Sequence, residues 1–140
     1  MNKQELLDRF NAICKDTLME TLEIRFTDVD VEAGRVKVEM PVTSKVHQPM
    51  GLLHGGASAA IAESVGSASS LLYVDPEKYA VLGIQLPDCS HLRSVKAGVV
   101  SGTAQIIHKG RSTHLWEVRI TDEQGKLISH CKLTNMIMEK

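Results

Sequence analysis

Between residues 47 and 72 the chain reads HQPMGLLHGGASAAIAESVGSASSLL, small or apolar almost throughout. Within it stand Gln48, His54, the pair Gly55–Gly56, Glu63 and Ser67. A carboxylate buried in such a run is costly without compensation, so Glu63 needs a partner or a task. A glutamate can attack a carbonyl carbon to give a mixed anhydride, or take a proton from water. A glycine pair at a helix start leaves backbone N–H groups without intrahelical acceptors, at the positive end of the dipole. Glycine also lets a ligand come close to the backbone. Gly55 is therefore a candidate oxyanion donor to a carbonyl that develops negative charge. The Gln48 amide, on the preceding loop, can give a second hydrogen bond, and His54 can donate or orient the loop. Ser67 follows Glu63 by four residues on the same helix face, within reach of a water, of Glu63 or of an acyl group. Ser64 is about 100° around the helix and is the poorer partner.

The spacing carries a second message. Glu63 lies eight residues beyond Gly55, about 12 Å along a helix rising ~1.5 Å per residue. One carbonyl cannot touch both groups of a single helix. Two antiparallel helices from two chains can set Glu63 of one against Gly55 of the other, and a two-fold axis then creates two such sites. A catalytic Glu63 thus requires at least a homodimer. Plainer readings stand beside these: Glu63 as a salt-bridged structural residue, His54 as a helix-start residue, Ser67 as a small residue easing close packing.

Composition narrows the alternatives. With 16 basic and 17 acidic residues and a net charge of -1, the chain offers no electrostatic reason for nucleic acid or an anionic membrane as partner. Aromatic residues at 4% leave little for stacking bases. Cys14, Cys89 and Cys131 are odd in number, far apart and without a CxxC pair. They predict neither a disulfide framework nor a zinc site, and suit a cytoplasmic protein. The six histidines show no HExxH or paired ligand spacing, so no metal is expected. MNKQELLDRFNAICKD is charged and amphipathic, unlike an apolar signal segment. The run from Gly51 to Val74 is interrupted by His54 and Glu63 and reads as a buried helix rather than a membrane span.

The elements that must position these residues follow from periodicity. Leu6, Leu7, Phe10, Ile13 and Cys14 recur at helical spacing and predict a helix over 3–16. Ile24 and Phe26, then Val36, Val38 and Met40, alternate around a Glu-Ala-Gly turn at 32–34, a hairpin. Residues 43–53 read as a loop and 54–73 as the central helix, stopped by Asp75-Pro76. Four strands follow, over 79–86, 95–108, 112–122 and 127–138, with DEQG at 122–125 joining the last two. A helix apolar on nearly all sides must be buried on nearly all sides, which a curled antiparallel sheet achieves. The expectation is one α+β domain, residues 1–140, with an antiparallel sheet wrapped around one long helix.

With those elements in place, QPMGLLHGGASAAIAESVGS, SHLRSVKAG at 90–98 and HKGRSTHLWEVRI at 108–120 resemble the hotdog-fold acyl-CoA thioesterases related to 4-hydroxybenzoyl-CoA thioesterase. The likeness runs over about residues 20–138 and is strongest to the branch with a helix glutamate, which includes the 1,4-dihydroxy-2-naphthoyl-CoA thioesterases of menaquinone synthesis. It implies hydrolysis of an acyl- or aroyl-CoA to free acid and CoA by a homodimer or homotetramer, with no cofactor beyond the substrate's own CoA. It gives Glu63 the role of nucleophile or general base, and Gly55 with Gln48 that of polarising the thioester carbonyl. Two clusters would hold CoA and its phosphates: His91, Leu92, Arg93 and Ser94, and His108, Lys109, Gly110, Arg111, Ser112 and Thr113. Their plain alternative is solvated loop charge. The chain departs from the family at GIQLPDCS, one residue longer than the usual run, and Pro87 there suggests a bulge beside the substrate cleft. A hydratase or dehydratase of acyl thioesters and a non-catalytic acyl-CoA-binding module are the competing readings. The HGG and AES pattern favours hydrolysis over the first, and an intact Glu63 argues against the second.

Overall fold

The computed structural model describes residues 1–140. In chain order the elements are α1 (Lys3–Ala12), α2 (Leu18–Thr21), β1 (Arg25–Asp30), β2 (Arg35–Pro41), α3 (Gly55–Ser69), β3 (Tyr79–Gln85), β4 (Ser90–His91), β5 (Val99–Lys109), β6 (Thr113–Thr121) and β7 (Leu127–Glu139). The sheet runs β1-β2-β5-β6-β7-β3 with every pairing antiparallel, and β4 pairs with an earlier stretch of β7. It curls around α3, as the patterning requires.

The core forms where alternation on the strands meets one side of α3. Val38, Met40, Val100, Ala104, Trp116, Val118 and Ile120 are fully buried on the sheet, and Ile61, Ala62 and Val65 on the helix. Full burial of each large side chain contributes about 1.5–3 kcal/mol relative to exposure. Helix and sheet approach closely at Gly66, where a Cβ would lie 2.6 Å from Leu133 Cδ2.

Several boundaries differ from expectation. The first helix is closed at its start by a capping box between Asn2 and Glu5, but ends at Ala12 rather than 16. Asp16 takes a positive φ of 58° and Thr17 caps the four-residue α2, a second short helix that the apolar spacing of 3–16 does not resolve. The central helix is α over Gly55–Ser69 and closes with a 3-10 turn over Ser70–Leu72. Five strands follow it instead of four, because the two-residue β4 is too short to show a period. A register shift falls between Gly83 and Gln85 on β3, ahead of Pro87, which lies in the unpaired stretch between β3 and β4. Cys89 and Cys131 form a disulfide, where the cysteine count and spacing predict no disulfide framework, because pairing of β4 with β7 brings them together across 42 residues; Cys14 is free and buried.

The helix is not buried all round. Glu63 and Gly56 are exposed, and Ala59, Ala60, Ser64 and Ser67 are partly so, a stripe along the side of α3 that the sheet leaves open. Small residues read as apolar in sequence, but here they mark an uncovered face. Past the end of α3, Ser70 Oγ accepts from Trp116 Nε1 at 2.9 Å and from Asn135 Nδ2 at 2.7 Å, and lies 2.8 Å from His114 Nδ1. Burial, with help from Lys109 and His108, holds the His114 pKa below its ordinary value, so the neutral ring can accept the Ser70 proton. No helix is long and apolar enough to cross a membrane.

Candidate active site

Gln48, Gly55, Glu63, Ser67 and the residues 91–94 fall into two grooves of the one chain. The first, of ≈ 290 Å³, opens at the start of α3 and is lined by Gln48, Gly55, His91, Leu92, Arg93 and Ser94, among others. The loop before α3 is held by backbone bonds from Gln48 to Leu52, Leu53 to Val95 and His54 to Val46. Gln48 Oε1 accepts from the Met50 N–H. That bond fixes the amide and leaves its NH₂ to donate elsewhere. His54 is the N-cap of α3, its Nδ1 accepting from Gly56 N–H at 2.7 Å. One ring nitrogen of His54 is thus committed to the cap, so orienting the helix start is its visible work. The Gly55 N–H, by contrast, has no acceptor within the chain.

His91 stands at this helix start, in the same groove as Leu92, Arg93 and Ser94. A Cβ on Gly55 would lie 2.8 Å from His91 Nε2, so only glycine allows the ring to rest there. The other nitrogen, Nδ1, is 2.9 Å from Ser129 Oγ, on a serine that is fully buried. β4 thus places the ring of His91 against the helix N-terminus, while its neighbours Arg93 and Ser94 line the same groove.

The second groove, of ≈ 400 Å³, opens on the uncovered side of α3. Glu63, Ser64 and Ser67 supply its polar atoms, and Ile13, Leu18, Met19, Ala60, Ala68, Leu71 and Val81 its apolar walls. Glu63 and Ser67 thus share one face, as their four-residue spacing predicts. Ser64, the poorer partner by its angle on the helix, lines the same groove. No basic residue stands in these walls.

The two basic clusters do not meet within one chain. Arg93 follows β4, and its N–H bonds to Ile128 at the start of β7. Residues 108–113 form the β5–β6 turn, where Thr113 pairs with Met136 near the other end of β7. Those anchor points are about 26 Å apart along a strand rising ~3.3 Å per residue. In that turn Gly110 N–H bonds to Thr113 O at 2.8 Å, and a Cβ on Gly110 would press on the same carbonyl. Lys109 Nζ lies 4.4 Å from the centre of the Tyr73 ring, a cation–π contact that already engages it.

Asn135 belongs to neither groove's wall, and sequence reasoning misses it. Its signal is an amide at an inward position of β7, in line with buried Cys131 and Leu133.

The chain is similar to known proteins over most of its length. A model of the thioesterase superfamily matches residues 50–129. A 1,4-dihydroxy-2-naphthoyl-CoA hydrolase of Listeria monocytogenes is 42% identical over 123 residues, spanning 88% of this chain and 97% of its own. The proofreading thioesterase EntH of Klebsiella pneumoniae is 40% identical over 137 residues, spanning 97% of each chain. Among solved structures, a mutant of the thioesterase PA1618 from Pseudomonas aeruginosa superposes with a TM-score of 0.90 at 39% identity, covering 96% of this chain and 94% of that one.

Proposed function

The chain belongs to the thioesterase superfamily and is a thioester hydrolase, and from that premise we propose that it hydrolyses an acyl- or aroyl-CoA at a site shared between two copies of itself. The observation that carries this reading is the division of the machinery. The free Gly55 N–H and the oriented Gln48 amide open into one groove, and Glu63 with Ser67 opens into another on the same helix. Each groove holds half of what the reaction needs. Antiparallel α3 helices from two chains unite them, with the uncovered stripe of small residues as the contact. The surroundings support such a contact: β3 is an edge strand through the main sheet order, and its Leu82 and Ile84 are about half exposed.

In that dimer the thioester carbonyl points at Gly55 N–H and the Gln48 amide of one chain, with His91 beside them. Negative charge on its oxygen develops against fixed donors at a helix N-terminus. Glu63 and Ser67 of the other chain face the carbonyl carbon. The acyl group lies along the apolar walls of the second groove, which suits an uncharged aromatic or aliphatic acyl group. A substrate such as 1,4-dihydroxy-2-naphthoyl-CoA, named for the Listeria relative, fits that description. Arg93 and the 108–113 turn can hold one CoA together only if they come from different chains.

The test is thiol release from CoA esters, followed with a thiol reagent over a panel of aroyl-CoA, fatty acyl-CoA and carrier-protein thioesters. Release from an aroyl-CoA is expected. Release from carrier-protein thioesters alone would overturn the CoA assignment.

A further inference from the structure

Asn135 lies on β7, is fully buried, and is held by three contacts with α3 and the turn that closes it. Its Nδ2 donates to the Gly66 carbonyl at 3.0 Å and to Ser70 Oγ at 2.7 Å, with the Ser67 carbonyl at 3.5 Å. Carbonyls accept only, so they decide which end of the amide faces the helix. The other end, Oδ1, is a buried acceptor with no partner in the protein. Buried polar atoms of that kind are rare and point to a missing donor.

What Oδ1 faces is given by the residue opposite. Gly83 on β3 pairs directly with Asn135. A Cβ on Gly83 would lie 3.7 Å from Asn135 Oδ1, 3.3 Å from Glu63 Oε1 and 3.6 Å from Leu133 Cδ1. The space beside the Gly83 α-carbon is thus bounded by two acceptor oxygens and a methyl group. Two acceptors cannot bond each other, but one water can donate a hydrogen to each.

We propose that Asn135 Oδ1 and Glu63 Oε1 together seat the hydrolytic water above Gly83, which makes Asn135 a positioning residue and Glu63 a general base. The inference rests on the thioesterase reading of the shared site. A water that donates both hydrogens keeps its lone pairs for the carbonyl carbon. One proton passes to Glu63 as the water oxygen bonds to that carbon, and the C=O pair moves onto the oxygen facing Gly55 of the other chain. Collapse re-forms C=O and breaks the C–S bond. The CoA sulfur takes the proton from Glu63, and the second hydrogen of the water leaves with the acid.

The experiment begins with Gly83→Ala, which fills the seat without removing any of these hydrogen bonds. Its kcat on an aroyl-CoA should fall on the order of 10²-fold. Its melting temperature and its Kd for a thioether analogue of the substrate should stay near wild type. A folded variant with kcat within about 2-fold of wild type, or one that loses activity only through loss of analogue binding, overturns the seat. Asn135→Asp adds a carboxylate across the seat from Glu63 and should move the acidic limb of the pH–rate profile upward. An unmoved limb in a folded variant counts against Asn135, and if the variant does not fold, Gly83→Ala decides. Rapid quench and mass spectrometry should find no acyl group on Glu63; an acylated Glu63 peptide overturns the general-base role. Wild type that releases no thiol from any CoA ester would instead refute the underlying thioesterase reading, so the two failures are distinct.

Discussion

Gly55 and Glu63 stand on one helix, eight residues apart, and open into two different grooves of the same chain. Neither groove alone contains both a donor for the carbonyl oxygen and a carboxylate for its carbon. Complementation tests the consequence. Gln48→Ala and Glu63→Ala chains should each be nearly inactive. Mixed under conditions that exchange subunits, they should regain about a quarter of wild-type activity, since half the dimers are mixed and each holds one intact site. Mixtures no more active than their parents, with exchange verified, would rule out sharing across the interface.

The contact of Gly55 with His91 gives a second prediction. Gly55→Ala places a Cβ 2.8 Å from His91 Nε2, so the ring must move off the helix start. The methyl also stands where the carbonyl oxygen must approach. The loss in kcat should be on the order of 10²-fold, the range for a displaced oxyanion donor, with the fold retained by circular dichroism. Near-normal turnover would show that the carbonyl is polarised elsewhere.

Much of this is legible in the sequence, and the exceptions have physical causes. The alternation of Val36, Val38 and Met40 and the punctuation at Asp75-Pro76 place the hairpin and the end of the central helix. Glu63 reads as enclosed because Ala and Ser look apolar in a one-dimensional pattern; in the fold those same residues line an uncovered face. The disulfide between Cys89 and Cys131 depends on β4 joining β7, a pairing two residues long that leaves no periodic trace. Adjacency groups His91 with Arg93, and both do line the groove at the helix start; what adjacency does not show is that the His91 ring rests against Gly55, a contact 36 residues away along the chain. Asn135 carries the subtlest signal, a polar residue in an inward register of β7, and its contacts reach 65 residues or more along the chain.

The basic clusters sit at opposite ends of β7, so their roles separate. Arg93→Ala should raise KM for CoA esters several-fold and leave an acyl-pantetheine ester unaffected, because the lost contact is remote from the reacting bond. Arg111→Ala should do the same if the partner chain reaches the same CoA. Equal damage to CoA and pantetheine esters in steady-state kinetics would assign these residues to the fold.

His114 predicts a pH dependence of stability. Its pKa is lowered in the folded chain, first by burial and then by Lys109 and His108. Above its ordinary value near 6.5 the ring is neutral in both states and there is no penalty. As pH falls below that value the unfolded chain binds a proton that the folded one resists, so stability is lost through the folded pKa. The melting temperature of wild type should decline between about pH 7 and pH 5. His114→Asn, which offers an acceptor to Ser70 but does not titrate, should show a flatter decline; an equal slope would place the effect in other groups.

The last prediction concerns Glu63 itself. It is exposed in the single chain and neighbours Ser64 and Ser67 in a groove without a basic residue. Nothing in the chain pairs with it, since no salt bridge or side-chain hydrogen bond engages its carboxylate. A salt-bridged structural glutamate would be tied to a cation, and this one is not. Glu63→Gln keeps the size and leaves the same apolar walls, but cannot readily take a proton or attack a carbonyl. Its kcat should fall on the order of 10²–10⁴-fold, the range for losing a general base, while a thioether substrate analogue still binds. Glu63→Asp should recover only part of the rate, because its carboxylate falls one methylene short of the water held opposite Asn135. The measurement is steady-state hydrolysis of an aroyl-CoA by the three proteins, with analogue binding followed by calorimetry. A folded Glu63→Gln enzyme turning over near the wild-type rate would mean that the carboxylate has no part in the chemistry and that the bond is broken by another group.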